Sequence, residues 1–215
     1  MLRIKNLTKK IDGRTILDHI DITMPTTHLR IKGESGSGKS TFARIIAGLD
    51  QDYSGEVWWN DQRCRDFKPK DWMKRVQYVP QYERDTLDNH KTVEAVLKAP
   101  LKNFKFDKAT YSQKIDDVLK QCILPQSMLQ QRVQTLSGGQ FQRLWIAKAL
   151  IVEPEVLMIL DEATTNLDVM NEDLMLDMLQ NIEGLQMIVI SHDPYVLSRF
   201  EGVEYELKMN ATREQ

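Results

Sequence analysis

The segment from Gly33 to Ser40, with the sequence GESGSGKS, limits the possible folds of this 215-residue chain more than any other part of it. It matches the pattern G-x-x-x-x-G-K-[ST], in which glycines let backbone N–H groups curve around phosphate oxygens. Lys39 adds a mobile positive charge, the Ser40 hydroxyl suits Mg²⁺, and the following residues have the spacing of a helix, whose N-terminus attracts anions. The predicted phosphate-binding residues are Gly33, Ser35, Gly36, Ser37, Gly38, Lys39, Ser40 and Thr41.

Composition excludes several classes of protein. The net charge of −2 and the pI of about 6.1 give no reason to expect a nucleic-acid surface. The cysteines, Cys64 and Cys122, are too far apart for metal-type spacing, and we expect both to be inert thiols in a reducing compartment. No apolar run approaches the roughly 20 residues that cross a bilayer, and we expect no signal segment at Met1. If the protein works at a membrane, we expect other chains to span it.

The first third of the chain is rich in predicted strands, with one helix after the phosphate loop. The strands are Leu2–Leu7, Ile16–Met24, His28–Lys32, Glu56–Trp59 and Arg75–Val79. The strand before the loop is unusual, because Arg30 and Lys32 alternate with apolar residues, which predicts one polar face. We interpret His19 and His28 as surface or turn residues rather than ligands.

From about residue 82 to residue 150 the pattern becomes helical. The predicted helices are Thr92–Lys98, ending before Pro100, then Tyr111–Cys122 and Gln140–Leu150. After Pro154, strands and helices alternate again: Val156–Leu160, Leu174–Leu179, Met187–Ile190, a short helix from Pro194 and Val203–Leu207. We interpret the methionine-rich stretch Met170–Met178 as core filling. The pattern predicts a single α/β domain, with residues 1–81 and 151–215 as a parallel core and residues 82–150 as a helical insertion.

A second chemical signal is the apolar strand that ends in Asp161 and Glu162. A carboxylate at the end of a buried strand would lie beside the phosphate loop, where a Mg²⁺ ion needs a partner. Asp161 fits that role. Glu162 can reach a water in line with the terminal phosphate and act as a general base.

A third signal is Leu136-Ser137-Gly138-Gly139-Gln140, at the head of a predicted helix. A serine and two glycines at a helix N-terminus form a second anion-binding device, with Ser137, Gly138, Gly139 and Gln140 as its binding residues. An ordinary N-cap would also explain Ser137. Nothing in the pattern requires this device to serve the same nucleotide within one chain.

Together these motifs resemble those of the ATP-binding-cassette (ABC) ATPases, the nucleotide-binding subunits of ABC transporters. The resemblance covers essentially the full length, and the LSGGQ signature is its most specific part. Gln81 matches the glutamine that in the family contacts Mg²⁺ and the attacking water. Residues 165–168, TNLD, match the D-loop, and His192 matches the switch histidine at the γ-phosphate.

The resemblance implies a P-loop NTPase core with an N-terminal antiparallel β subdomain and an inserted α-helical signature subdomain. It implies ATP and Mg²⁺, with Ser40, Gln81 and Asp161 at the metal and Glu162, His192 and Gln81 in catalysis. It also implies a head-to-tail pair with a second ABC ATPase subunit, identical or different, so that each LSGGQ closes on the partner's ATP. Integral membrane permease subunits would be the other partners, no nucleic acid is expected, and the expected location is cytoplasmic, on the inner face of the cell membrane.

The chain departs from the family pattern in three places, one of which is the charged strand Leu29–Lys32 described above. Ile11 stands where an aromatic residue usually stacks on adenine, which leaves base selectivity open, and Ala163 replaces a common proline. The resemblance also places a surface that couples to the membrane subunits near Gln81, with Tyr82, Glu83 and Arg84 as candidates.

Several subfamilies remain open. The segment VQYVPQ at residues 76–81 and the residues around Pro100 are similar to peptide/nickel-type importers, which we favour, whereas residues 165–168 are closer to lipoprotein and antimicrobial-peptide exporters. A cassette that remodels nucleic acid or ribosomes usually carries long coiled-coil insertions or a second cassette, which this sequence lacks. A regulatory subunit without turnover is disfavoured by Glu162 and His192 but is kept open by Ile11.

Overall fold

The computed structural model describes residues 1–24, 27–81, 86–154, 157–164 and 167–209. The strands are β1 (Leu2–Ile11), β2 (Arg14–Met24), β3 (His28–Lys32), β4 (Ser54–Trp59), β5 (Gln62–Arg63), β6 (Val76–Val79), β7 (Leu157–Asp161), β8 (Gln186–Ile190) and β9 (Gly202–Glu206). The helices are α1 (Lys39–Ile46), α2 (Pro69–Arg75), α3 (Val93–Asn103), α4 (Tyr111–Gln121), α5 (Gly138–Leu150), α6 (Val169–Gln180) and α7 (Pro194–Ser198). Among these residues no helix is long and apolar enough to cross a bilayer.

The chain divides into two compact units. The first comprises Met1–Tyr78, Val156–Asp161 and Gln186–Gln215, and the second comprises Val79–Glu155 and Glu162–Leu185. The chain therefore passes from the first unit to the second directly after Tyr78 and again directly after Asp161.

An antiparallel sheet in the first unit has the strand order β2-β1-β4-β5. β1 pairs antiparallel with both β2 and β4, with Ile4 opposite Ile22 on one side and opposite Val57 on the other. These three side chains are buried, because alternate residues of each strand face the same core. This sheet is the N-terminal antiparallel subdomain that the fold prediction required.

The other sheet of the first unit has the order β6-β7-β8-β3-β9, with β3 parallel to β8 and β9 and β7 parallel to β8. It explains the charged strand before the phosphate loop. Leu29 and Ile31 are fully buried, whereas Lys32 and Arg30 reach Glu204 on β9, with N–O distances of 2.8 and 3.6 Å. The polar face of β3 therefore pairs with a carboxylate of the neighbouring strand.

Helix α2 is an element that periodicity did not predict. Pro69 occupies its first turn, where the missing N–H costs nothing, and the helix is only seven residues long. Trp72 anchors it: the ring is buried and its Nε1–H donates to the carbonyl of Ile46 at 3.0 Å. A single large buried contact, rather than a repeated apolar face, holds this helix.

The second unit contains helices α3 to α6. The prediction that the first helix ends before Pro100 is wrong, because α3 continues to Asn103. A proline inside a helix loses one hydrogen bond and crowds the carbonyl four residues earlier. Here the last turn is kept because Leu101 is fully buried and the Phe104 N–H donates to the Pro100 carbonyl at 2.9 Å.

Two further interpretations need correction. His28 is not a turn residue: it opens β3, and its Nδ1 accepts the N–H of Met187 at 3.1 Å. The methionine-rich stretch is only partly core filling, because Met175 and Met178 are buried but Met170 is 84% exposed.

Candidate active site

The predicted phosphate loop has the backbone that its glycines imply. Gly36 and Gly38 have φ values of 83° and 92°, in the region that side chains disfavour. A Cβ on Gly38 would also lie 2.9 Å from side-chain atoms of Ile16 and Leu17. The loop therefore passes too close to β2 for any other residue at position 38.

Lys39 folds back against its own loop. Its Nζ donates to the carbonyl oxygens of Gly33 and Glu34 at 2.7 and 3.0 Å. Helix α1 begins here with no side-chain cap and no acidic residue in its first turn. The loop therefore concentrates an ammonium group and the positive end of a helix, a combination that binds phosphate.

Ser37 fits the same interpretation. The residue is 2% exposed, and within the described part of the chain its hydroxyl has no hydrogen-bond partner. A buried hydroxyl without a partner is costly in a native structure, and a bound anion with several acceptor oxygens would satisfy it.

Asp161 ends β7 and is 1% exposed. Its Oδ2 accepts a hydrogen bond from the Tyr78 hydroxyl at 2.9 Å. Burial, and then the charge of Asp161, raise the pKa of Tyr78, so the phenol stays protonated and donates. Helix α1, which carries Ser40, packs against β7 in the same unit.

The available ligands suit Mg²⁺ bound together with a nucleotide. No group of three or more His, Cys, Asp or Glu residues in the described ranges could hold a metal alone. Mg²⁺ in nucleotide sites needs only one or two protein oxygens and completes its shell with phosphate and water. The Ser40 hydroxyl and the Asp161 carboxylate carry oxygens of the kind that Mg²⁺ prefers.

His192 follows β8, next to β7 in the sheet, with Asp161 opposite Ile190. His192 is exposed, whereas its neighbour Ser191 is buried and accepts the Asp193 N–H at 3.0 Å. Since parallel strands end at one edge, the phosphate loop, Asp161 and His192 all follow strand ends at the carboxyl edge of the sheet, where ligands of such sheets bind.

Glu162 is half-buried and has a φ of 50°, which is unusual for a residue other than glycine. Such strained backbone tends to occur where a side chain must be aimed. Glu162 and Gln81 belong to the second unit, and Gln81 is exposed. The coupling candidates Tyr82, Glu83 and Arg84, and Thr165 and Asn166 of the D-loop, lie outside the described residues.

The signature segment heads α5. Ser137 accepts the N–H of Gln140 at 3.3 Å, and the Gln140 side chain accepts the N–H of Ser137 at 3.0 Å. This capping box bears out the N-cap interpretation of Ser137. Ser137 is nevertheless exposed at a helix N-terminus, so its role as a cap leaves it accessible for contact with a second molecule.

Sequence reasoning missed two groups near these motifs. Tyr78 had no signal beyond a polar residue in a short strand. Asn171 lies against Gly139, where an added Cβ would collide with the side-chain amide of Asn171.

The cysteines lie outside the site. Burial raises the pKa of both Cys64 and Cys122 to about 12, which keeps these thiols protonated.

The fold and the phosphate loop define a P-loop nucleotide hydrolase. The family model described as ABC transporter matches residues 17–165, and the chain belongs to this family. As a member of the family it is an ATP-binding ATPase.

Curated relatives and solved structures agree with this assignment. The chain is 31% identical over 199 residues to the nickel import ATP-binding protein NikE of Escherichia coli K12, covering 89% of this chain and 74% of the relative. NikE of Shigella boydii is 30% identical over 199 residues, with the same coverage of both chains. The dimeric ATP-binding cassette MJ0796 bound to ADP and Pi superimposes with a TM-score of 0.82 at 25% identity, covering 98% of this chain and 97% of that one. The structure of cbiO1 from Clostridium perfringens, at 24% identity, has a TM-score of 0.83 over 98% and 86% of the chains and supports the fold alone.

Proposed function

We propose that this protein is the ATP-hydrolysing subunit of a peptide- or metal-type importer and powers transport by separate membrane subunits. The observation that carries the proposal is the carboxyl edge of the parallel sheet, where the phosphate loop, Asp161 and His192 follow strand ends within one unit. The likeness to NikE, a nickel import protein by name, favours an importer over an exporter. The net charge of −2 argues against a nucleic-acid partner.

In the proposed mechanism, the loop backbone and Lys39 would hold the phosphates, and Ser40 and Asp161 would hold Mg²⁺. Mg²⁺ would neutralise charge on the phosphate oxygens. Glu162 accepts a proton from the attacking water or orients it, and His192 donates a hydrogen bond to the γ-phosphate. Gln81 would contact the metal and the attacking water and would relay the state of the site to the membrane subunits.

The second anion-binding segment, from Ser137 to Gln140, would serve the ATP of a partner cassette. It lies in the second unit, whereas the phosphate loop lies in the first, and Ser137 is exposed. The similar cassette MJ0796 has been solved as a dimer. The partners we propose are a second cassette, identical or different, and integral membrane permeases, with the complex at the inner face of the cell membrane.

The substitution Glu162→Gln tests the catalytic assignment. It should abolish phosphate release, keep equilibrium ATP binding and accumulate an ATP-dependent dimer, because the amide cannot accept the proton of water. Glu201→Gln, at an exposed glutamate of the first unit, is the matched control and should behave like the wild type. Normal turnover in Glu162→Gln would exclude the role of Glu162.

The transport assignment needs a separate test. The tagged protein should be purified from detergent-solubilised membranes and its partners identified by mass spectrometry. Co-purification of integral membrane subunits of an importer is the expected result. Permeases of the lipoprotein- or antimicrobial-export type, or ribosomal proteins and RNA, would contradict the importer assignment.

A further inference from the structure

The hydrogen bond between Tyr78 and Asp161 joins the two points at which the chain leaves the first unit. Tyr78 is the last residue of one segment of that unit and Asp161 is the last residue of another. They are 83 positions apart in the sequence, yet the hydroxyl and Oδ2 are separated by 2.9 Å. Glu162 is the next residue in the chain. A contact that holds Asp161 in place therefore also constrains the position at which the segment containing Glu162 begins.

The phenol hydroxyl is also connected to the phosphate-loop helix. The positive charge of Arg44 lowers the pKa of Tyr78, against the larger effects of burial and of Asp161. Arg44 lies on α1 four residues after Ser40, and residues four apart share one face of a helix. Tyr78 is therefore hydrogen-bonded to the strand that carries Asp161 and is influenced by a charge on the helix that carries Ser40, and all of these residues belong to the first unit.

We propose that Tyr78 is a positioning residue for the metal–nucleotide complex, acting by holding one carboxylate oxygen of Asp161 in a fixed orientation. The inference rests on the proposed function, which assigns Mg²⁺ to Ser40 and Asp161. A carboxylate turns easily about its last torsion, and a single donor at one oxygen removes that freedom. A neutral phenol does this without cancelling the charge that attracts the cation, whereas a lysine or arginine would compete with the metal.

The substitution Tyr78→Phe removes only the hydroxyl. We would measure Mn²⁺ affinity by electron paramagnetic resonance in the presence of a non-hydrolysable ATP analogue, and affinity for the analogue in EDTA. Loss of a group that orients a metal ligand should weaken Mn²⁺ binding by about tenfold and leave metal-free nucleotide affinity unchanged. Tyr53→Phe is the matched control, because Tyr53 is also half-buried in the first unit and has an arginine partner, Arg65.

A double-mutant cycle separates positioning from general destabilisation. With Asp161→Asn in place, Tyr78→Phe should cause no further loss of Mn²⁺ affinity, because the two act as one unit. Tyr78→Leu, which also lacks the hydroxyl, should weaken Mn²⁺ binding as much as Tyr78→Phe and serves if the phenylalanine variant folds poorly. Wild-type Mn²⁺ affinity in folded Tyr78→Phe, or an equal loss in the Asp161→Asn background, would overturn the proposal. A wild-type protein that binds the analogue but not Mn²⁺ would instead refute the metal assignment.

Discussion

The side-chain oxygen of Asn171 accepts a hydrogen bond from Arg143 Nη1 at 3.2 Å. The same amide donates from Nδ2 to Asp168 Oδ2 at 2.7 Å, so one side chain connects α5 to the aspartate that caps α6. Gly139 makes room for this contact, because a Cβ at that position would collide with the amide of Asn171. The second glycine of the signature segment therefore has a packing role besides any contact with a nucleotide.

Gly139→Ala should lower the free energy of unfolding by about 1–3 kcal/mol, because the added methyl displaces Asn171 and strains its hydrogen bonds. Gly138→Ala is the control: its Cβ would have no neighbour within 4 Å, and alanine favours a helix more than glycine does. Urea denaturation of both variants measures the difference. Equal stability of the two variants would show that the contact with Asn171 is not restrictive.

Lys39→Met should weaken ATP binding by roughly 10- to 150-fold, the loss expected for a charged hydrogen-bonding group. The reason is that the ammonium now held by the Gly33 and Glu34 carbonyls is the loop's mobile charge. Lys32→Met removes a nearby lysine whose ammonium pairs with Glu204 instead, and it should keep wild-type affinity. Isothermal titration calorimetry with ATP compares the three proteins, and unchanged affinity in Lys39→Met would contradict the phosphate-loop assignment.

Ile11→Tyr should tighten ATP binding by roughly 5- to 150-fold, because stacking of a base on an aromatic ring contributes about 1–3 kcal/mol. Ile11 ends β1, lies opposite Arg14 and is 44% exposed, so the larger side chain of tyrosine can be accommodated there. The wild type, which lacks this ring, should discriminate weakly between ATP and GTP. Competition binding with both nucleotides measures the effect, and no gain in affinity would show that adenine is held elsewhere.

The pH dependence of stability should include a contribution from His28. Its ring packs edge-on against Phe200, with centroids 5.7 Å apart, and burial lowers its pKa. As the pH falls, the unfolded chain therefore binds a proton at His28 before the folded chain does, beginning at about pH 6.5. The contribution of the neutral imidazole to folding stability is thus fully present above that pH. It is lost as the pH falls through the folded-state pKa, with a slope of at most about 1.4 kcal/mol per pH unit.

Thermal unfolding between pH 8 and pH 5 tests this contribution. His28→Asn should flatten the acid side of the profile, because asparagine keeps an acceptor for Met187 and does not titrate. His90→Asn, at an exposed position, should leave the profile unchanged. A His28→Asn profile that follows the wild type would exclude a role for His28.

Elements with local chemical signals were predictable from the sequence. The strand His28–Lys32 was predicted with its observed bounds, and the helix after the phosphate loop follows from the glycine and apolar spacing. Helix α2 was not predictable because it depends on a buried contact between Trp72 and the distant Ile46. The last turn of α3 was not predictable because the burial of Leu101 outweighs the local effect of Pro100. The polar face of β3 could be predicted as a pattern, but its partner Glu204 could not.

The sequence by itself determined the phosphate loop, the order of the motifs and the family, because these depend on residue type and spacing within short segments. Only the tertiary structure decided which polar groups meet. Tyr78 is paired with Asp161, and Asn171 with Arg143, because β6 lies beside β7 in the sheet and α5 packs on α6. Hydrogen bonds between residues far apart in the chain form only after the apolar faces of their elements have packed, so no local pattern encodes them.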